Sequence, residues 1–279
     1  MTFSLISNLS SIDSQTRLNV TGARLNQSIQ RLSSGLRINN SGDDAAGLAI
    51  ANKYRSDIAV LNQGVRNAND GLSTLQVIDG GLNTISNLLD RAATLAAQSS
   101  SDTFTGDRAT LQTEFSQVVA EITRQAANVG LNTDGTNAVS LTVIIGGSSD
   151  TFAADGTNNG VTIDLSSTAV DAEGLALDDA DIGTDAAGAR EALDAIQTAV
   201  ETLGTAQGVV GAGENQLQQA IDLASSQITN FQAAESRVRD ADIAAEASNM
   251  ARLSVLQQAG VAALAQSNSS SQAVLALLR

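Results

Sequence analysis

Large apolar residues recur along this chain at intervals of three and four, with few interruptions. Near the start, Leu18, Leu25, Ile29, Leu32 and Leu36 follow one another at spacings of 7, 4, 3 and 4. That is the period of an amphipathic helix carrying a coiled-coil-like seam. Asn39, Asn40, Ser41 and Gly42 break the pattern, and Ser41 or Asp43 can cap a second helix whose positive end suits Asp43 and Asp44. In that helix Ile58, Leu61, Val65, Ala68, Leu72 and Leu75 step by three and four, slip at Asp79-Gly80-Gly81, and resume with Leu82, Ile85, Leu89 and Ala92. About 55 residues at 1.5 Å each would make a helix about 80 Å long, a natural length for a bundle or a fibre. After a loop at Ser99–Asp102, Leu111, Phe115, Val118 and Ile122 predict a third helix.

The period then changes. Val139, Leu141, Val143 and Ile145 alternate with smaller residues, and Val161, Ile163 and Leu165 alternate with Thr162 and Asp164. Alternation predicts two short strands, and the Gly/Asp/Asn-rich stretch between them predicts a hairpin. Helix returns from about Asp185 with Leu193, Ile196, Val200 and Leu203, then Leu217, Ile221, Ala224, Ile228 and Phe231. A last helical segment carries Ile243, Met250, Leu253, Leu256, Gly260 and Leu264, and the chain closes on Val274-Leu275-Ala276-Leu277-Leu278-Arg279. An apolar tail of this kind needs a cover, since chain ends otherwise fray. The pattern predicts a mainly α fold: a long antiparallel helical bundle or coiled coil with a small β-hairpin region.

Composition narrows the chemistry. The chain has no Pro, His, Cys or Trp, one Lys (Lys53) and one Tyr (Tyr54). Hydrophobic residues make up 42% and aromatics only 2%, so Ala, Leu, Ile and Val must form the core, as they do in helix-on-helix packing. An enzyme reading has little to stand on, and a His-Glu-x-x-His metalloprotease is impossible without His. Asp43 and Asp44 have no catalytic companion and read as a helix cap. A formal net charge of −15 argues against a nucleic-acid partner. From Gln125 to Ala189 there are ten acids and no Lys or Arg. No EF-hand or glycine-aspartate repeat spacing occurs there, so a solvated acidic surface is expected rather than a calcium site. Neither a metal nor a cofactor is expected.

The first residues have no basic stretch and no sustained apolar run, so they do not read as a secretory signal. No stretch approaches the roughly 20 apolar residues of a bilayer span, and no membrane partner is expected. Taken alone, these observations read as cytoplasmic. Arg17, Arg24 and Arg31 recur every seven residues, with Arg37 one short of the next repeat. They form either a solvated stripe or the flank of a helix partner. If the two terminal segments run antiparallel, Arg31 and Arg37 are expected beside Asp240, Asp242 and Glu246, setting the register of the pair.

Several of these stretches resemble bacterial flagellin. They are Arg31-Leu32-Ser33-Ser34-Gly35-Leu36-Arg37-Ile38-Asn39 leading into Asp43-Asp44-Ala45-Ala46-Gly47-Leu48-Ala49-Ile50-Ala51-Asn52, and Arg66-Asn67-Ala68-Asn69-Asp70-Gly71. Near the other end they are Ala234-Glu235-Ser236-Arg237-Val238-Arg239-Asp240-Ala241-Asp242, Ser248-Asn249-Met250, Leu256-Gln257-Gln258-Ala259-Gly260, Leu264-Ala265-Gln266 and Leu275 to Arg279. The resemblance covers both ends, roughly 1–135 and 185–279.

It implies a structural subunit of the flagellar filament whose terminal helices form the filament core on assembly. The alternative is a flagellin-like hook–filament junction protein. The implied polymerisation seams are Leu18, Leu25, Ile29, Leu32 and Leu36 at one end, and Met250, Leu253, Leu256, Leu264, Leu275 and Leu278 at the other. The implied organisation is an N-terminal core helix and linker at 1–42, long rod helices at 43–135, hairpin and acidic loop at 136–184, a returning helix at 185–235 and a C-terminal core helix at 236–279. With little room between hairpin and returning helix, the chain looks like a minimal flagellin without large outer domains.

The resemblance also implies an extracellular place, reached by type III export without a cleaved signal. The implied partners are further copies of the chain, an export chaperone at the C-terminal segment, and filament cap and hook-junction proteins. Finally, it implies an innate-receptor surface at Arg91, Leu95, Gln98 and Glu114, although Ala93-Thr94 stands where many recognised flagellins carry an Arg-Glu pair.

Overall fold

A computed structural model describes residues 8–133, 135–146, 160–166 and 168–277, with 271–277 described in backbone only. Five helices and one hairpin follow in the order α1 (Leu9–Ser34), α2 (Ala45–Ser99), α3 (Arg108–Val129), β1 (Ser140–Ile144), β2 (Gly160–Asp164), α4 (Ala186–Arg239) and α5 (Ile243–Leu277).

Every helix starts behind an Asn or Asp. Asn8 accepts the Ser11 N–H at 3.2 Å, Asp44 that of Gly47 at 2.8 Å, and Asp107 that of Ala109 at 3.0 Å. Asp185 accepts from Gly188 at 2.7 Å, and Asp242 from Ala244 and Ala245 at 3.0 Å each. These carboxylates and the Asn8 amide satisfy N–H groups that a helix start leaves free. Two helices stop at glycines in the left-handed region, Gly35 (φ +72°) and Gly130 (φ +70°), a conformation only glycine takes without strain. With no proline inside, α2 and α4 run 55 and 54 residues.

Asp44, not Ser41 or Asp43, begins α2. Asp43 turns the other way and accepts the N–H groups of Asn39 and Asn40, both at 3.1 Å. The expected slip at Asp79-Gly80-Gly81 does not occur. Ile78 is buried and completes an unbroken run of Leu75, Ile78, Leu82 and Ile85. Gly81 is needed there because a β-carbon would stand 2.3 Å from Val129 Cγ1 of α3.

The chain divides into two compact units, one of residues 1–56 with 230–279 and one of residues 57–229. The divisions fall inside α2 and α4, whereas 42/43 and 235/236 were expected. In the first unit Tyr54 of α2 stacks on Phe231 of α4 with ring centroids 5.6 Å apart, which ties the outermost turns of these helices to that unit.

The second unit holds the main core. The α2 seam from Leu61 to Ala96 meets Phe115, Ile122, Ala126 and Val129 of α3 and a row on α4 that includes Ala192, Ile196, Ala199, Leu203, Ala206, Val210 and Leu217, all buried. Alanine at every second or third step of the α4 row lets the helices approach closely. Val200, expected in this row, is exposed, because Ala199 takes the buried position beside it.

The hairpin is antiparallel, with register Ser140↔Asp164 through Ile144↔Gly160. Val143, Ile145, Ile163 and Leu165 face inward as their alternation predicts, while Val139 lies before β1 and is exposed. The stretch expected to join the strands, 147–159, lies outside the described residues. The hairpin sits on bare helix backbone: β-carbons at Gly64 and Gly71 of α2 and Gly213 of α4 would collide with Ile145, Val143 and Ile163.

The acidic stretch is not wholly a solvated face. Asp171 is buried and accepts the N–H groups of Thr133 and Gly174, both at 2.9 Å. Asp164 and Asp181 cap turns through Ser166 and Gly183.

Candidate functional site

The terminal helices α1 and α5 pack antiparallel within the first unit. The buried face of α1 follows Ser11, Ser14, Leu18, Thr21, Leu25, Ser28 and Leu32, stepping by three and four, with Gly22 and Arg31 half-buried beside it. Leucines alternate with small polar residues along this face. On α5 the matching positions are Met250, Leu253, Gly260, Leu264 and Ser267, all half-buried. Of the expected seam, Leu18, Leu25, Leu32, Leu36, Met250, Leu253 and Leu264 therefore lie in or beside this contact. Ile29 and Leu256 do not, being 46% and 51% exposed. Leu275 lies on the backbone-only part of α5, and Leu278 lies outside the described residues.

Where α1 ends, the chain is stitched to the α4–α5 joint. Leu36 and Asp240 form an isolated antiparallel bridge. The Arg37 N–H donates to the Arg239 carbonyl at 2.6 Å, and the Ala241 N–H to that of Gly35 at 2.9 Å. At the open end the contacts are between small polar side chains. The Ser10 and Ser267 hydroxyls are 2.9 Å apart, and Ser11 donates to Asn268 Oδ1 at 3.0 Å.

The basic stripe does not pair with Asp240, Asp242 or Glu246. The Arg37 guanidinium donates to the Val238 carbonyl at 2.9 Å. Arg31 lies 3.7 Å from Asp43, and Arg17 donates to Asp13 one turn earlier at 3.0 Å. Asp240 and Asp242 are occupied locally, Asp240 by the Ser236 hydroxyl and Asp242 as the α5 cap. Glu246 takes a partner that periodicity did not single out: Ser28, whose hydroxyl donates to its Oε1 at 2.6 Å. Ser28 is the one fully buried residue of α1. Its place in the 3/4 pattern between Leu25 and Leu32 was the available signal.

Asp43 is held by the N–H of Asn40, then that of Asn39, then by Gln27 Nε2 at 2.7 Å, and these bonds keep its carboxyl below the ordinary range. It thereby ties the linker back onto α1.

The two helices cannot bury each other's apolar surface. Leu9 is 73% exposed and Val255 64%. Ile12, Val20, Ile243 and Val261 are exposed as well. A two-helix layer with large apolar residues on its outer sides is an unfinished core, since a helix must lay its apolar stripe against another layer.

In the second unit, Arg91 of α2 donates from Nε to Glu114 Oε1 of α3 at 3.0 Å, with both side chains partly exposed. Gln98 is also exposed. Leu95 is not a surface residue: it is buried, because it stands on the core side of α2 next to Ala92 and Ala96.

Comparison with known proteins gives a consistent result. Residues 6–135 match the family model for the bacterial flagellin N-terminal helical region, and residues 193–278 that for the C-terminal helical region. A flagellin of Halalkalibacterium halodurans is 41% identical over 92% of this chain and 94% of its own length. Flagellin FlaB2 of Treponema pallidum is 35% identical over 98% of both chains. A flagellar filament 33 kDa core protein of Treponema phagedenis is 34% identical, again over 98% of both.

Proposed function

The chain belongs to the bacterial flagellin family, and from that premise we propose that α1 and α5 are its polymerisation element. The protein is a structural subunit that polymerises with copies of itself into the extracellular flagellar filament of a swimming bacterium. The observation that carries the proposal is the unfinished core of the α1/α5 pair. Its outward residues, among them Leu9, Ile12, Ile29, Val255, Leu256 and Val261, are left exposed by the described residues. Burial at about 25 cal/mol per Å² makes copies of the same pair the natural cover. The seam leucines hold the pair together, and the outward residues join pairs to one another.

The same exposure bears on the other partners. Before assembly, α5 needs protection, which is the work of an export chaperone at the C-terminal segment. The filament cap and hook-junction proteins would meet the same element at the two ends of the polymer. Arg91, Gln98 and Glu114 are the exposed residues through which an innate receptor would read the second unit, with Leu95 supporting them from the core.

The experiment is substitution of outward residues on α5 followed by sedimentation. Loss of pelletable filaments with an intact second unit supports the assignment. Unchanged polymerisation refutes it.

A further inference from the structure

The α1/α5 seam is repetitive. Leu18, Leu25 and Leu32 recur every seven residues with small residues between them. A repetitive seam specifies register weakly, and coiled coils of this kind fix it with a buried polar contact. The charges around Glu246 make the problem sharper. Ser10 meets Ser267, Ser11 meets Asn268, Leu18 meets Gly260 and Ser28 meets Glu246. In this antiparallel register, sliding α5 by about one turn would bring Glu246 level with Arg31 in one direction and with Arg24 in the other. Both slipped registers offer Glu246 an arginine, so electrostatics alone would not keep it where it is.

We propose that the hydrogen bond from Ser28 to Glu246 selects the register of the α1/α5 pair, holding Glu246 between Arg24 and Arg31. Three observations carry this. Ser28 is 3% exposed, and a hydroxyl at such a position needs a partner. Its 2.6 Å bond to Glu246 Oε1 is a short, charge-assisted one. The arginines are engaged elsewhere or turned to solvent: Arg31 lies by Asp43 on the linker, and Arg24 is exposed. The bridge between Leu36 and Asp240 anchors the joint through backbone atoms, which any side chain could accompany. The Ser28–Glu246 contact is the sheltered polar one, whereas the Ser10–Ser267 and Ser11–Asn268 contacts are exposed to water. Register matters for function because it decides which outward residues stand side by side on the two helices. The inference therefore deepens the proposed polymerisation element and rests on it.

The chain has no cysteine, so engineered pairs report register cleanly. A β-carbon at Gly260 would lie 3.9 Å from Leu18 Cβ, within the range a disulfide spans. L18C/G260C reports the native register. T21C/G260C reports the slide toward Arg31, and S14C/G260C the slide toward Arg24. Each pair is placed in chains with otherwise wild-type sequence, S28A or E246Q. Each is co-assembled as a minority with cysteine-free wild-type subunits, and the pelleted polymer is oxidised and its cross-links quantified by peptide mapping.

With Ser28 and Glu246 intact, the native pair should dominate. S28A should raise the ratio of slipped to native cross-links about tenfold or more, the scale expected for losing one hydrogen bond to a charged group. E246Q keeps an oxygen acceptor and removes the attraction to arginine, so it should retain the native register. An unchanged ratio in S28A, or slipping in E246Q equal to that in S28A, overturns the proposal. Wild-type protein that forms no pelletable polymer at all would instead refute the polymerisation reading.

Discussion

Leu18 on α1 and Gly260 on α5 meet as a large and a small partner. A β-carbon at position 260 would stand 3.2 Å from Leu18 Cδ1, tighter than ordinary van der Waals contact. Glycine in a helix interior costs about 1 kcal/mol relative to alanine, and at 260 the short approach to Leu18 is what a larger residue would lose. A leucine at 260 would overpack the seam at a cost of about 1–3 kcal/mol. G260L should raise the critical concentration for polymerisation about tenfold or more, and L18A/G260L should recover part of the loss. Equal polymerisation by G260L and wild type in a sedimentation series would show that the seam is loose.

Glycines elsewhere divide into two groups with opposite expected signs. At Gly64 a β-carbon would lie 1.5 Å from the Ile145 carbonyl oxygen, so G64A must push the hairpin off α2. Its thermal midpoint should fall, and amide exchange in β1 and β2 should speed up. At Gly204, Gly208 and Gly211 of α4 no atom of another described element would stand within 4 Å of a β-carbon. Alanine at each of these should stabilise the subunit by about 0.5–1 kcal/mol. A scan in which G64A is neutral, or in which the α4 substitutions destabilise the monomeric subunit, would contradict the packing described.

Asp171 supplies a pH-dependent contribution. Burial pushes its carboxyl up, but the N–H groups of Thr133 and Gly174 and the Thr133 hydroxyl outweigh burial and hold it below the ordinary value of 3.8. A depressed folded-state pKa stabilises the fold above the unfolded value, and that stability is lost as pH falls through the folded one. D171N should therefore be less stable than wild type at pH 7, by about 1.5–3 kcal/mol for a buried charged hydrogen-bond acceptor. The gap should narrow as pH is lowered below about 4, where protonation begins to cost the wild type its advantage. Urea unfolding at both ends of this range checks it. A gap that is constant or widens on acidification would contradict the assignment.

The elements were legible in the sequence wherever large apolar residues carried the period. All five helices and both strands follow from Leu, Ile and Val spacing. What was illegible was held by small or polar residues, which leave no trace in a reading of hydropathy. Ala199 takes the buried place expected for Val200, and Ser28 the one adjoining Ile29. Ile78 is the exception, a large apolar residue that carries the period straight through Asp79-Gly80-Gly81, since a helix held by packing on both sides tolerates glycine. The polar partners were wrong for a related reason. Asp43 and Asp44 are adjacent, and only backbone geometry decides which caps α2 and which folds back on Asn39 and Asn40. Arg31 and Arg37 had acids in the right part of the chain, but Arg31 forms its ion pair with Asp43 at 3.7 Å and Arg37 donates to the Val238 carbonyl instead.

The central claim is that the outward apolar face of α5 joins subunits. Leu256 and Val261 are both more than half exposed, so L256S/V261S should leave the thermal unfolding of the subunit unchanged. The most direct measurement is the critical concentration of this variant, by sedimentation with electron microscopy of the pellet. Withdrawing two large side chains from a repeated interface removes burial worth about 25 cal/mol per Å² at every contact. The account predicts no filaments at concentrations where wild type polymerises fully. Filaments of normal length at the wild-type critical concentration would contradict it.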